Sequence, residues 1–388
     1  MKILIVMDVY QSNGNGTSIS ALRFTEVLRK HGHEVRSLAA DGDDYVLPER
    51  KVWGLVNTMH SQGFYWADSL TKHSKQIIRE AVAWADVVHM MMPFMLTVTT
   101  KRIADEMGKP STAAFHIQPE NITSLVHLEK VGWVNNLLYY VLRKAIYSKF
   151  EYVHTPSLFM ANEMRKHGYK MQILPISNGI DPSFCYRKDR RDEKFEGKIV
   201  IVMTGRYASE KRQDLLIKAA KLSKYSDKIQ LVLAGKGPLQ AKYEKLSQGL
   251  TYNPIYGTYN REDLQHILAQ SDLYVHCSDM ESEAIACIEG FAMGLVPIIS
   301  DSPLSATQQF ALDNRSLFRA GDAKSLAERI DYWIEHPEEK AEMERKYARF
   351  AKSYYLEQCV ERFEAMLYKA MGTTKEAELA KIGLSKLA

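Results

Sequence analysis

Two glutamates, Glu281 and Glu289, bracket the stretch Glu281-Ser-Glu-Ala-Ile-Ala-Cys-Ile-Glu289. An apolar run ends just upstream at Cys277, the polar loop Ser278-Asp279-Met280 intervenes, and Gly294 and Pro297 follow. This order reads as strand, loop, helix, glycine stop and a second buried strand. The glutamates then lie about two helical turns apart. The first turn of a helix carries unpaired backbone N–H groups that favour an anion such as phosphate. A carboxylate accepts hydrogen bonds from two neighbouring hydroxyls at once. The pattern suits a ligand with a diphosphate between two polyols, Glu281 holding a sugar and Glu289 a ribose. Two surface glutamates near a helix start would look alike in isolation. Glu289, however, sits among Cys287, Ile288, Phe291 and Ala292, where a free carboxylate is costly.

A second constellation is Thr204-Gly205-Arg206-Tyr-Ala-Ser-Glu210-Lys211. It also follows an apolar run and opens a helix. Arg206 brings a planar fork and Lys211 a point charge, and both suit a diphosphate; solvated basic residues in a loop are the plainer reading. Gly235-Lys236-Gly237-Pro238 follows the next run and reads as a turn, lining a base pocket or serving only as a turn. Near the start lies Asn13-Gly14-Asn15-Gly16-Thr17. Its glycines allow close approach of backbone to a phosphate or sugar, although a plain loop fits equally well. It lacks the third glycine of a dinucleotide fingerprint, and only Asp41 keeps a nicotinamide reading alive. His116 closes an apolar run and is followed by Ile117-Gln118-Pro119-Glu120, a place from which an imidazole can bond a sugar hydroxyl. Asp41-Gly42-Asp43-Asp44 has the look of a metal-gripping DxD motif but reads as a solvated loop.

These groups need elements to hold them. Strand patterns fall at 3–7, 35–38, 87–91, 112–116, 152–155 and 172–176, and again at 199–204, 230–234, 273–277 and 296–299. Helical patterns alternate with them. Ala21, Phe24 and Leu28 share one face and Gly32 ends that helix. Two parallel-sheet units with a ligand cleft follow, their motifs at the carboxyl ends of strands. The first spans 1–180 together with a C-terminal helix over 355–371, whose apolar positions Leu356, Val360, Phe363, Leu367 and Met371 have helical spacing. The second spans 181–354. The charged segment 178–198 reads as a linker or surface loop and 372–388 as a polar tail.

Composition sets the outer limits. In 388 residues, 46% hydrophobic content supplies two cores. A net charge of +4 is too mild to call for nucleic acid. Cys185, Cys277, Cys287 and Cys359 have no paired spacing, which argues against zinc and disulfides and for a reduced, cytoplasmic setting. Asp8 cuts the first apolar run too short for a signal peptide. No run reaches the ~18 apolar residues of a spanning helix.

Taken together, the Glu281-x7-Glu289 motif with Gly294 and Pro297, and the Gly205-Arg206…Glu210-Lys211 stretch, resemble the retaining GT-B glycosyltransferases of family four, over nearly the whole chain. The resemblance implies a hexosyltransferase with two facing Rossmann-like domains and a C-terminal helix crossing back to the first. Arg206 and Lys211 would bind the donor diphosphate and stabilise the leaving group. Glu281 would hold the transferred sugar and Glu289 the ribose. His116 would lie near the anomeric centre and Gly16 near the diphosphate or acceptor, while Gly235, Ala284 and Ile285 would complete the donor contacts. No metal or other cofactor is implied, and retention would proceed by front-face attack.

Where the family commonly has an aromatic residue and then glycine after the first glutamate, this chain has Glu283-Ala284. The expectation is that Ala284 narrows the approach to phosphate and Glu283 adds negative charge there. The donor would be a UDP-, GDP- or ADP-sugar. Gly16-Thr-Ser-Ile-Ser20 and His116–Glu120 are somewhat similar to stretches of bacterial diacylglycerol glucosyltransferases, implying a glycolipid or surface-polysaccharide acceptor. The aromatic, basic stretch 133–150 would lie on the inner face of an anionic membrane, or pack on the core with a solvated basic side. The competing readings are a nucleotide-sugar epimerase, a non-catalytic transferase-like partner protein and, last, an NAD-dependent oxidoreductase.

Overall fold

The computed structural model describes residues 1–11, 16–50, 66–124, 128, 131–375 and 377. The chain divides into two units, Met1–Gly179 with Leu356–Ala388, and Ile180–Tyr355. Among the described residues, unit 1 is built on β1 (Lys2–Val6), β2 (Glu34–Ala39), β3 (Tyr45–Val46), β4 (Val87–Met90), β5 (Ser111–Ala114), β6 (Tyr152–Thr155) and β7 (Gln172–Pro175). All pair in parallel, in the order β3-β2-β1-β4-β5-β6-β7. Ile3, Leu4, Ile5 and Val6 are buried together, because helices cover both faces of such a sheet and its strands are continuous apolar runs. The order reverses direction between β1 and β4, and in such sheets ligands bind at the carboxyl ends beside that switch point.

Unit 2 repeats the plan with β8 (Ile199–Thr204), β9 (Ile229–Ala234), β10 (Ile255–Gly257), β11 (Leu273–His276), β13 (Val296–Ser300) and β15 (Leu317–Phe318), in the order β10-β9-β8-β11-β13-β15. Its switch point lies between β8 and β11. The two-residue strands β12 (Met280–Glu281) and β14 (Leu304–Ser305) pair separately, with Glu281 opposite Ser305.

Expected and observed elements differ in informative places. β5 ends at Ala114, two residues short of His116, and the Phe115 N–H still donates to the His154 carbonyl. The expected linker is instead packed onto unit 2. Phe184 and Phe195 are buried, Arg191 pairs with Asp272, and the Asp192 N–H donates to Gln270. The Asp41–Asp44 loop is not merely solvated. Asp41 accepts the N–H groups of Tyr10 and Gln11, and Asp44 accepts the N–H and hydroxyl of Ser37. These carboxylates fasten the loops that follow β1 and β2. Most of the expected polar tail, and Asn13-Gly14-Asn15, lie outside the described residues.

The helix Leu356–Ala370 belongs to unit 1. Cys359, Val360, Phe363, Met366 and Leu367 enter a core with Phe24 and Val27, and Phe363 meets Phe24 edge-on at 5.3 Å. Its buried Glu364 carboxylate receives His31 at 3.0 Å and His33 at 2.8 Å, while Glu357 takes the other nitrogen of His31 at 2.5 Å. Burial alone would raise the Glu364 pKa, but these histidines and Lys375 lower it to about 2. Burial would lower the His31 pKa, and the two glutamates raise it.

This cluster should therefore make stability depend on pH. The raised His31 contributes fully below its unfolded value of about 6.5 and loses that contribution as pH rises through its folded value. Glu364 contributes above the ordinary carboxylate range and loses that contribution as pH falls toward about 2. Melting temperatures should be highest between those limits, and His31→Ala should flatten the alkaline limb. An unchanged alkaline limb in thermal melts of the variant would contradict the assignment.

Candidate functional site

In unit 2 the switch point brings Lys211 and Glu281 together, with Lys211 Nζ donating to Glu281 Oε1 at 2.5 Å. Local links hold them there. Lys211 lies in a short 3-10 turn, Ser209–Lys211, after β8. Its neighbour Arg212 is left-handed, at φ 59° and ψ 39°, and pairs with both Asp214 and Asp279. The Asp279 N–H donates to the Glu210 carbonyl at 2.8 Å. The β12–β14 ladder then fixes Glu281. A left-handed non-glycine residue costs about 1–2 kcal/mol, so this turn is held by its ion pairs.

A third side chain shares the carboxylate. His276, the last residue of β11 and 2% exposed, lies with Nε2 at 3.0 Å from the same Glu281 Oε1. Its Nδ1 is buried and unpartnered. Burial would push the Glu281 pKa up, but the Lys211 charge and the hydrogen bonds from His276 and Lys211 outweigh it and hold the group ionised, far below the usual carboxylate range. Glu281 is therefore a fixed anion in a mostly buried site, its side chain 11% exposed. Sequence reading found Lys211 and Glu281 but missed His276 and Arg212. The available signals were a histidine closing the strand into Glu281 and a second base beside Lys211.

The other expected donor residues fall in several places. Arg206 is not drawn to the pair; it is 57% exposed and reaches Glu210 at 3.3 Å. Without a ligand, Arg206 and Lys211 do not converge, because each is paired with its own carboxylate. Gly235 follows β9 where a Cβ would stand 2.0 Å from the Gly205 carbonyl oxygen. Its glycine lets β9's exit pack against the 205–207 loop, where Tyr207 N–H donates to Lys236. The helix expected over 283–293 runs Ile285–Ala292, and Ala284 caps it in the left-handed region at φ 76°. That conformation explains why glycine is common there. Glu283, expected as a charge beside the diphosphate, is 4% exposed. Ile285 and Glu289 are half-buried on the helix, Glu289 one turn past Ile285.

In unit 1, Gly16 is exposed and opens the helix Gly16–Lys30; a Cβ there would meet nothing within 4 Å. His116 is buried just past the end of β5. Its Nε2 has no partner, and its ring meets His154 edge-on at 5.1 Å. Burial and the nearby His154 hold it well below the ordinary imidazole range, so it is neutral. Among the described residues, no group of His, Cys, Asp and Glu is arranged to hold a metal.

With this geometry in hand, comparison places the chain among known proteins. The family described as Glycosyl transferases group 1 matches residues 186–351, and Glycosyltransferase Family 4 matches residues 14–184. A GDP-mannose-dependent alpha-mannosyltransferase of Corynebacterium glutamicum is 27% identical over 77% of this chain and 72% of its own length. An alpha-monoglucosyldiacylglycerol synthase of Streptococcus pneumoniae is 23% identical over 78% and 72%. The catalytic domain of cholesterol-alpha-glucosyltransferase from Helicobacter pylori is 49% identical over 40% of this chain and 98% of that domain, with a TM-score of 0.39. Anabaena Alr3699/HepE, solved with UDP, is 15% identical over 94% of this chain and 98% of that chain, at a TM-score of 0.69, a likeness of fold.

Ala284→Gly should relieve the left-handed alanine. Against the entropy that glycine adds to the unfolded chain, the net stabilisation should be about 0.5–1 kcal/mol. Denaturant unfolding checks this, and a less stable variant would contradict it.

Proposed function

The chain belongs to the group 1, family four glycosyltransferases, and from that premise we propose that it moves a hexose from a nucleotide-diphosphate sugar to a lipid or glycan acceptor with retention of configuration. The observation that carries this reading is the Lys211–Glu281 pair at the switch point of unit 2, beside the start of the helix Ile285–Ala292. In the donor complex, Lys211 turns to the diphosphate and neutralises the charge that grows on the leaving group. Glu281, fixed by His276, takes hydroxyls of the sugar. The N–H groups at the helix start bind phosphate oxygens, and Glu289 takes the ribose. Arg206, exposed on its turn, swings from Glu210 to the diphosphate. These cations and N–H groups supply the positive charge, so the reading needs no metal. In unit 1 the reading assigns a sugar-binding role to His116, neutral and with a buried, unpartnered Nε2, and a backbone approach to Gly16.

Retention is supported by chemistry and names. One relative is called an alpha-mannosyltransferase and another an alpha-monoglucosyldiacylglycerol synthase, and transfer from an α-linked nucleotide sugar to an α product keeps configuration. The diacylglycerol in one name supports a lipid acceptor. GDP-mannose appears in one name and UDP-glucose in a structural neighbour, so both belong in the first screen.

The membrane expectation gains a physical basis from the helix Gly132–Ala145. Its buried face is Asn135, Tyr139 and Leu142. Trp133, Leu137, Tyr140 and Val141 form an exposed stripe, with Trp133 71% exposed, followed by exposed Lys144 and Lys149. Arg143 is not part of the basic side, since it donates to the carbonyls of His167 and Gly168. An aromatic stripe flanked by lysines suits an anionic bilayer surface.

Nucleotide sugars should raise the melting temperature. Lys211→Ala and Glu281→Gln should each lower turnover at least ~10²-fold; near-normal rates would remove these residues from the mechanism. Trp133→Ser with Leu137→Ser should reduce sedimentation with anionic vesicles at least ~5-fold. Undiminished sedimentation would contradict the membrane reading.

A further inference from the structure

The switch point of unit 1 holds a carboxyl with no partner. Asp8 follows β1 and is 4% exposed. Its Oδ1 accepts the Ala67 N–H at 3.1 Å, while Oδ2 is buried with nothing bonded to it. Burial raises its pKa to about 7, and only backbone N–H groups act to lower it. Beside Ala67, the indole Nε1 of Trp66 is also buried and unpartnered, and its ring stacks on Phe94 at 5.4 Å. Phe94 follows β4, so the ends of the two strands at the reversal share an unpaired acceptor, an unpaired donor and an aromatic wall. An unsatisfied buried polar atom costs about 1–3 kcal/mol. The acids fastening the neighbouring loops, Asp41 and Asp44, are all partnered. A hydroxyl can satisfy the Asp8 acceptor, because it donates one hydrogen bond and accepts others.

We propose that Asp8 binds a hydroxyl of the acceptor, with the O–H donating to Oδ2, and that this acceptor is an uncharged alcohol. The inference rests on the transferase reading above. An uncharged alcohol follows from the surroundings. Among the described residues, the loop after β2 carries Asp41, Asp43 and Asp44, Asp68 follows Ala67, and Glu49 and Arg50 pair with the Ala67 and Trp66 backbone, while the end of β4 offers Met91 and Met92. Acids outnumber Arg50 here, and this balance of charge disfavours a phosphate-bearing acceptor.

Asp8→Asn separates a binding role from a structural one. Asparagine has the shape of a protonated aspartate and keeps the bond from Ala67, but its amide nitrogen cannot accept the hydroxyl. Initial rates at about pH 8.5, where the carboxyl is ionised, would be measured with a saturating nucleotide sugar. The acceptors are diacylglycerol and a sterol as neutral alcohols, and phosphatidylinositol as the phosphate-bearing one. Donor affinity is followed by calorimetry. The variant should bind donor within about twofold of wild type and lose at least ~10-fold in kcat/KM for the neutral acceptor. Unchanged acceptor kinetics with intact donor binding overturns this inference alone. Preference for phosphatidylinositol overturns the uncharged assignment. Absence of donor binding in the wild type overturns the transferase reading together with it. If the variant does not fold, the wild type decides, since its acceptor KM should fall several-fold between about pH 6 and about pH 8.5, and a flat KM refutes the role.

Discussion

The chemistry of unit 2 depends on keeping one carboxylate ionised inside the protein. Glu281 would be costly to bury alone, and it is buried because Lys211 and His276 converge on a single oxygen. Removing Lys211 would leave that carboxylate without its cation, a loss of about 3–5 kcal/mol for a fully buried pair. The surrounding structure reads as support for that meeting. Arg212 accepts a strained backbone, Asp279 ties the turn to the loop, and a two-residue ladder with Ser305 fixes the glutamate. The pair is also a store of interactions that a charged ligand can exchange. A diphosphate offers Lys211 a stronger anion, and a sugar hydroxyl offers Glu281 a new donor.

Much of the fold was legible because parallel strands covered on both faces are unbroken apolar runs. Tyr152–Thr155 and Ile199–Thr204 were read to the residue for that reason. Tyr45–Val46, Ile255–Gly257 and Leu317–Phe318 were not seen, since strands of two or three residues at a sheet edge carry no periodicity. Gly235 read as part of a turn, and only the packing shows that two backbones touch there.

The site was legible in its charges and not in its supports. Glu281 and Lys211 stood out by spacing and by position after strands. His276 was hidden because a buried histidine on a strand looks structural until its partner is known. Arg212 depends on Asp279, far along the chain, and no local pattern links them. In unit 1, Asp8 drew notice only as a break in an apolar run, because an unpaired oxygen is invisible until the packing around it is known. Similarly, the basic stretch 133–150 divides into an exposed apolar stripe and an arginine used on carbonyls only once the helix is oriented.

The account is tested most directly by a crystal structure of the protein with an intact nucleotide sugar. Lys211 Nζ should have left Glu281 for a phosphate oxygen, and Glu281 should accept a hydroxyl of the sugar while keeping its contact with His276. A donor bound elsewhere, with the Lys211–Glu281 pair undisturbed, would contradict it.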